Sequence, residues 1–396
     1  MRSGKAIEKI DPRETHMHRK LSLAVMAAAC LSFVLPAAAQ DTIKIPNIIE
    51  LSGGGATVGK NWQNGSQLAV DEINAKGGIL GKKIQLEFVD TGSDPGKARA
   101  GVQRAIDDKP IAIFGPIYSG SVSATLKMTA EAEIPQIIGG EAASLTAQGS
   151  KYLFRTSFGQ NVSMPKIANY IRDDIKAKTI AVVYVNNDFG KGGRNAIIKE
   201  LESRNIKVVA DISTEAGQAD FAADVVKVKG SNPDAVFIYT NEEESARFLI
   251  EAKKQGIDKP LLGETTLLGQ KVIDLAKESA NGAKGHVGLT ADAPDPLVQA
   301  FAKKFEEKYK YKSDHNGMKG YIAPYMLKAA AEKAGKLDGK AIAAALHGMT
   351  ISPAKEPGIL IEATWDETGE IDRISYLAEI KDGKQVITKT LPKLKP

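Results

Sequence analysis

Between Thr42 and Val287 short apolar runs alternate with amphipathic segments, and this alternation restricts the chain to few architectures. "TIKIPNIIEL", "IQLEFVD", "IAIFGP" and "PQIIGG" form a first set of strands; "TIAVVYVN", "KVVADIS", "DAVFIYT" and "PLLGE" form a second. They are rich in β-branched residues and too short for core helices. Between them the spacing predicts helices. One runs over 59–75, with Trp62, Ala69 and Ile73 on one face and Gly77 and Gly78 as its stop. Another opens at Asp94 as N-cap with Pro95 behind it, and a third covers 190–204. Continuous apolar strands belong to sheets covered on both faces, and repeated βα units make those sheets parallel and doubly wound. After "AKGHVGLT" the pattern turns helical ("DPLVQAFAKKFEEKYK", "MKGYIAPYMLKAAAEKAG"). The tail predicts antiparallel strands with "ETGE" and "KDGK" as turns. At 396 residues there is room for two such sheets, hence two lobes with a cleft between them.

The first residues carry a different signal. Basic His18, Arg19 and Lys20 precede an apolar run from Leu21 to Leu35, then Pro36 and Ala37–Ala39. This pattern predicts a secretory signal peptide over 1–39, cleaved after Ala39, with 1–16 an over-long start before Met17. The only cysteine, Cys30, lies inside it. "AAA" before Cys30 has the look of a weak lipoprotein box, but the apolar core continues through Leu31, Phe33 and Val34. The exported chain then has no disulfide and no thiolate nucleophile or ligand. The first 39 residues hold six Lys and Arg against three Asp and Glu, so the full chain's +5 falls to +2, which gives no basis for a nucleic-acid surface.

Catalytic patterns are absent. His286, His315 and His347 have no metal-ligand spacing, no G-x-S-x-G elbow occurs, and no G-x-G-x-x-G follows the first strand. "LSGGGATVGKNW" places Gly54, Gly59 and Lys60 at P-loop spacing, but Asn61 stands where a Ser or Thr should bind magnesium. An exported chain also meets no maintained ATP, so the stretch is expected to be a tight turn near a ligand. Neither a cofactor nor a metal is expected.

Binding residues are expected in the loops at the carboxyl ends of the strands. "GPIYSGSVSAT" puts Ser119, Gly120 and Ser121 at a helix start, where free N–H groups and hydroxyls suit a carboxylate. "GGEAASLT" adds Ser144 as a second donor. "NEEES" and "GETT" offer acids that could meet a ligand ammonium, or that only complement a helix dipole.

Taken in order, "IKIPNIIELSG", "NGSQLAVDEINAKGGILGKKIQLEFVDTGSDPGKA", "IFGPIYSGSVSAT", "IPQIIGGEAASLT", "YLFRTSFGQN", "IAVVYVNNDFGKG", "DFAADVVKVKGSNPDAVFIYT" and "TWDETGEI" resemble the leucine/isoleucine/valine-binding proteins, the periplasmic type I solute-binding proteins of ABC transporters. The resemblance implies two Rossmann-like lobes joined by three crossovers: 41–157 with 289–364, and 158–288 with most of 365–396. It implies a carboxylate held by Ser119, flanked by Tyr118 and Gly120, and by a second loop over Glu141, Ala142 and Ser144 that is shorter here. Phe189 would cover the ligand from the second lobe and Val58 would face it from the first. Two departures concern the amine: the family's acid falls on Thr265, with Glu264 one step away, and a family tyrosine falls on Glu242, beside Asn241. The implied function is capture of a branched-chain amino acid or similar small carboxylate for an inner-membrane ABC permease, by a periplasmic monomer without enzymatic activity. An aromatic acid or amide, a sensor role, or an exported enzyme are the alternatives.

Overall fold

The computed structural model describes residues 42–394 and Gly4. The signal-peptide expectation, with Cys30 and the Ala39 cleavage site, lies outside the described residues.

The first sheet holds β1 (Thr42–Ile49), β2 (Lys83–Asp90), β3 (Ile113–Phe114), β4 (Gln136–Ile138) and β5 (Leu153–Arg155), in the order β2-β1-β3-β4-β5. Every pair is parallel. The connections are α1 (Ala56–Ala75), α2 (Pro95–Asp107), α3 (Ser119–Glu131) and the short α4 (Ala143–Ala147). Asp94 caps α2 as expected, accepting from Lys97 N with Pro95 behind it.

The second sheet follows α5 (Gln160–Tyr170), which ends in a wide turn over Ile171–Ile175. It holds β6 (Thr179–Val185), β7 (Lys207–Thr214), β8 (Ala235–Tyr239), β9 (Leu261–Gly263) and β10 (Lys284–Val287), all parallel. Its helices are α6 (Asp188–Glu202), α7 (Ala222–Ser231), α8 (Glu242–Lys254) and α9 (Gln270–Ala276). β6 shows why the strands lack alternation: Ile180 and Val182 enter one core, Ala181 and Val183 the other.

The chain then returns to the first lobe with α10 (Pro296–Tyr309), α11 (His315–Ala334) and α12 (Gly339–Leu346). A small antiparallel sheet follows, of β11 (Thr350–Ile351), β12 (Ala363–Trp365) and β13 (Ile371–Asp372). Last come β14 (Ser375–Lys381) and β15 (Lys384–Leu391), antiparallel on the β10 edge of the second sheet. The lobes are thus joined by three crossovers: after β5, after β10, and between β13 and β14. Among the described residues no helix is long and apolar enough to cross a membrane.

Two helix starts differ from expectation. α1 begins at Ala56 instead of Gly59, because Gly53–Gly55 already form a helical turn. α6 begins at Asp188 instead of Gly190, because Asn187 caps it by accepting from Gly190 N at 2.9 Å.

Helices α1 and α11 make the closest packing in the first lobe. A Cβ on Gly65 would fall 1.9 Å from the Gly317 carbonyl oxygen, and one on Gly320 would fall 2.3 Å from the Trp62 carbonyl oxygen. Backbone meets backbone there, so no flexible side chain can yield. Gly65→Ala is therefore expected to cost about 1–3 kcal/mol through helix displacement, despite alanine's better helix propensity. Urea unfolding checks this; a stabilised variant would contradict the packing.

Candidate functional site

A cavity of about 630 Å³ opens between the carboxyl ends of the two sheets. Glu50, fully buried just beyond β1, lies behind the cavity's first-lobe wall. The two carboxylate oxygens accept from Ile117 N (3.1 Å) and Tyr118 N (3.2 Å), which fixes the approach to α3. Burial holds this carboxyl above its ordinary range, against the backbone hydrogen bonds.

The glycine turn after β1 is not a phosphate cradle. Leu51 N and Ser52 N donate to Asp90 Oδ1 at 2.9 and 3.0 Å, and Gly55 N donates to Ser93 Oγ at 2.9 Å. The Ser52 hydroxyl first, then the backbone donors of Leu51, Ser52 and Gly92, hold the Asp90 carboxyl below its usual range against the opposing effect of burial, so the turn's amides are already bound to an acid. Asn61 donates to Thr57 O within α1. Val58 and Thr57 face the cavity beside this turn.

α3 opens at Ser119 with no side-chain cap, which leaves partial positive charge at a helix end whose first residues line the cavity. Tyr118, Ser119 and Gly120 line the wall. Ser119 Oγ accepts from Glu141 N (3.2 Å) and Ala142 N (3.1 Å), so one hydroxyl joins the loops after β3 and β4.

The second loop departs from expectation. Ala142 is fully buried: its amide is taken by Ser119 and its carbonyl by Arg155 Nη2 at 2.6 Å. The chain then enters α4, which carries Ser144 to the exposed surface, away from the cavity. Glu141 does line the cavity, but it is ion-paired with Lys319 Nζ at 2.7 Å. Behind the loop lies Arg155, with no exposure. It reaches Glu370 from Nε at 3.1 Å, Thr146 Oγ1 at 3.3 Å, and the Gly140 carbonyl.

The second-lobe wall carries Asn187, Phe189, Asn241 and Glu242. Phe189 stacks on Tyr239 with ring centroids 4.2 Å apart, and its carbonyl accepts from Gln160 Nε2 at 2.8 Å. Glu242 opens α8 and is only 7% exposed. Burial first, then the charges of Asp314 and Glu243, push its carboxyl up to about 8, against its own backbone amide and the Lys319 charge. Among the described residues no lysine, arginine or histidine forms an ion pair with it. Neighbouring Glu244 accepts from Gly217 N at 2.6 Å, and Arg247 donates to Gln218 O at 2.8 Å.

Glu264 and Thr265 are turned away. A turn closed by Leu267 N to Glu264 O (2.9 Å) presents Thr266 to the cavity instead. Glu264 Oε1 lies 2.7 Å from His286 Nδ1, and Thr265 Oγ1 accepts from Gly288 N at 2.9 Å, so both brace the second crossover.

Lys319, with His315 and Asn316 from the first turn of α11, completes the wall and was missed from sequence. The expected helix began at Met318, whereas Asp314 caps it by accepting from Asn316 N (2.8 Å) and Gly317 N (3.1 Å). A lone lysine within "GMKGYIAPYM" was the available signal. Among the described residues no group of acids, histidines and cysteines could hold a metal.

Comparison with known proteins agrees with this geometry. A family model described as periplasmic binding protein matches residues 42–385. The leucine-, isoleucine-, valine-, threonine- and alanine-binding protein of Pseudomonas aeruginosa is 26% identical over 360 residues, 90% of this chain and 95% of that one. The branched-chain amino acid transporter substrate-binding protein LivJ of Streptococcus pneumoniae, solved with isoleucine, superposes with a TM-score of 0.79 at 27% identity, over 90% of this chain and 100% of that one. A solute-binding protein of an ABC transporter from R. palustris, solved with benzoate, shares the fold at a TM-score of 0.80 and 23% identity, over 89% of this chain and 97% of that one. With its two parallel-sheet lobes, three crossovers and interlobe cavity, this chain belongs to the periplasmic binding protein family.

Proposed function

We propose that this protein captures an aliphatic amino acid in its interlobe cleft and delivers it to an inner-membrane ABC permease. The ligand carboxylate meets the uncapped start of α3 at Ser119, and its ammonium meets Glu242 across the cleft. The lobes, 41–157 with 289–364 and 158–288 with most of the tail, close on it by hinge motion. The protein acts as a periplasmic monomer after cleavage near Ala39, and it binds without turnover.

Glu242 carries this reading. A buried carboxylate without an ion-pair partner is costly, and an incoming cation would remove the cost. At the position of the family's ammonium-gripping acid stands Thr265, bonded to Gly288 N, and Glu264 one step away is committed to His286. The relatives at 26–27% identity, named for or solved with aliphatic amino acids, support the same ligand class.

Calorimetric titration with L-leucine and L-isoleucine tests the proposal, with 4-methylpentanoate as the ligand lacking an amine. Glu242→Gln is expected to weaken leucine binding by about 10–100-fold, the range of one charge-assisted hydrogen bond. Equal affinity for leucine and 4-methylpentanoate would contradict the ammonium contact.

The pH profile gives a second check. In the empty protein Glu242 favours its protonated form, so its contribution to folding is complete below the unfolded value of 4.5 and is lost as pH rises through about 8. Ligand ammonium reverses that preference by favouring the carboxylate. Leucine affinity should therefore rise between about pH 6 and 8, by up to about tenfold per unit, and level off above. The slope should vanish in Glu242→Gln. Affinity falling over that range would mean that the neutral acid donates to a ligand anion instead.

A further inference from the structure

We propose that Lys319 is a second carboxylate anchor of the cleft, and that the Glu141–Lys319 pair makes a ligand carboxylate obligatory. The inference rests on the reading that the cleft binds a small carboxylate-bearing solute.

Lys319 is 3% exposed, yet it lines the cavity wall. Such a lysine needs a buried acceptor, and Glu141 Oε1 supplies one at 2.7 Å. That contact uses one of the three ammonium hydrogens and leaves two for the cavity. Ser119 arrives at the same place through the same residue. Its Oγ accepts from the amides of Glu141 and Ala142, which fills both lone pairs. Its hydroxyl hydrogen is left to donate, and Ser119 also lines the cavity.

Glu141 thus fixes two donors with two different atoms, its amide on Ser119 and its carboxylate on Lys319. The uncapped start of α3 adds partial positive charge beside them. Neutral donors alone would accept an amide or alcohol oxygen almost as well as a carboxylate. A buried ammonium changes this, since its attraction for an anion is strong in a desolvated cleft and weak for a neutral group. Glu141 is therefore the counter-ion that orients Lys319, not a ligand contact in its own right. The pair is neutral as a unit, which leaves Glu242 on the opposite wall as the group for a ligand cation.

The test compares L-leucine, L-leucinamide and 4-methylpentanoate by calorimetric titration of the full protein and three variants. Lys319→Met removes the anchor; Lys319→Met with Glu141→Gln removes it without leaving a lone buried charge; Lys319→Arg keeps the charge. The double variant should fold, since replacing both members of a buried pair by neutral groups is close to neutral for stability. The wild type is expected to prefer leucine over leucinamide by about tenfold or more, and the double variant to lose that preference by weakening on leucine alone. Lys319→Arg should restore part of it. Leucine affinity unchanged within about twofold in the double variant would overturn the anchor, as would equal wild-type affinity for leucine and leucinamide. Wild-type binding of 4-methylpentanoate but not leucine, lost in the double variant, would overturn the amino-acid reading and keep the anchor. A wild type that binds none of the three would overturn both.

Discussion

One buried guanidinium holds the cleft and the hinge in a common frame. Arg155 ends β5, at the point where the chain leaves the first sheet. It grips Glu370 from the loop between β12 and β13, the carbonyls of Gly140 and Ala142 from the cavity loop, and Thr146 on α4. Glu370 in turn accepts from Gly159 N at 2.8 Å, on the first crossover. A planar fork with five donors suits this role, because it fixes direction as well as distance. Buried pairs of this kind contribute little net stability. Here the consequence is geometric: the loop carrying Glu141 cannot shift without breaking contacts to the crossover and to the tail.

On that frame the two walls of the cleft have complementary character. The first lobe presents an uncapped helix start, a serine hydroxyl and a lysine held by Glu141. The second presents the first turn of α8, where Glu242 is buried without an ion-pair partner among the described residues. An empty closed form would leave these groups facing each other across a desolvated gap. A ligand with opposite charges at its two ends satisfies both walls, and only when both are near. That differential is what a hinged protein needs if a small molecule is to shift its population toward the closed form. Phe189, fixed by Tyr239 and Gln160, covers the same space.

What was legible in the sequence was local. The strands of both sheets showed as short apolar runs, and α2 was announced by Asp94 and Pro95. Ser119, Gly120 and Glu242 lie in loops or helix starts that follow strands, and Phe189 was indicated only by the family resemblance; all four line the cavity. What was not legible depends on partners far along the chain. Glu141 and Lys319 are 178 residues apart, and Arg155 and Glu370 are 215 apart. Nothing near Glu264 announces that His286 will take its carboxylate. Ser144 was misplaced for a local reason with a distant cause. Ser119 takes the amides of Glu141 and Ala142, the chain turns at once into α4, and Ser144 faces solvent. The anchors of the glycine turn, Asp90 and Ser93, lie at the end of the next strand and on the loop after it, out of reach of the local pattern.

If the proposed function holds, a small amino acid draws the two lobes together. The most direct measurement is the distance between spin labels on introduced cysteines at two exposed positions, Arg99 on α2 and Val226 on α7. The expected result is a broad distribution without ligand that narrows to a single shorter distance with saturating L-leucine or L-isoleucine. A distribution that leucine and isoleucine leave unchanged, although calorimetry shows them bound, would contradict it.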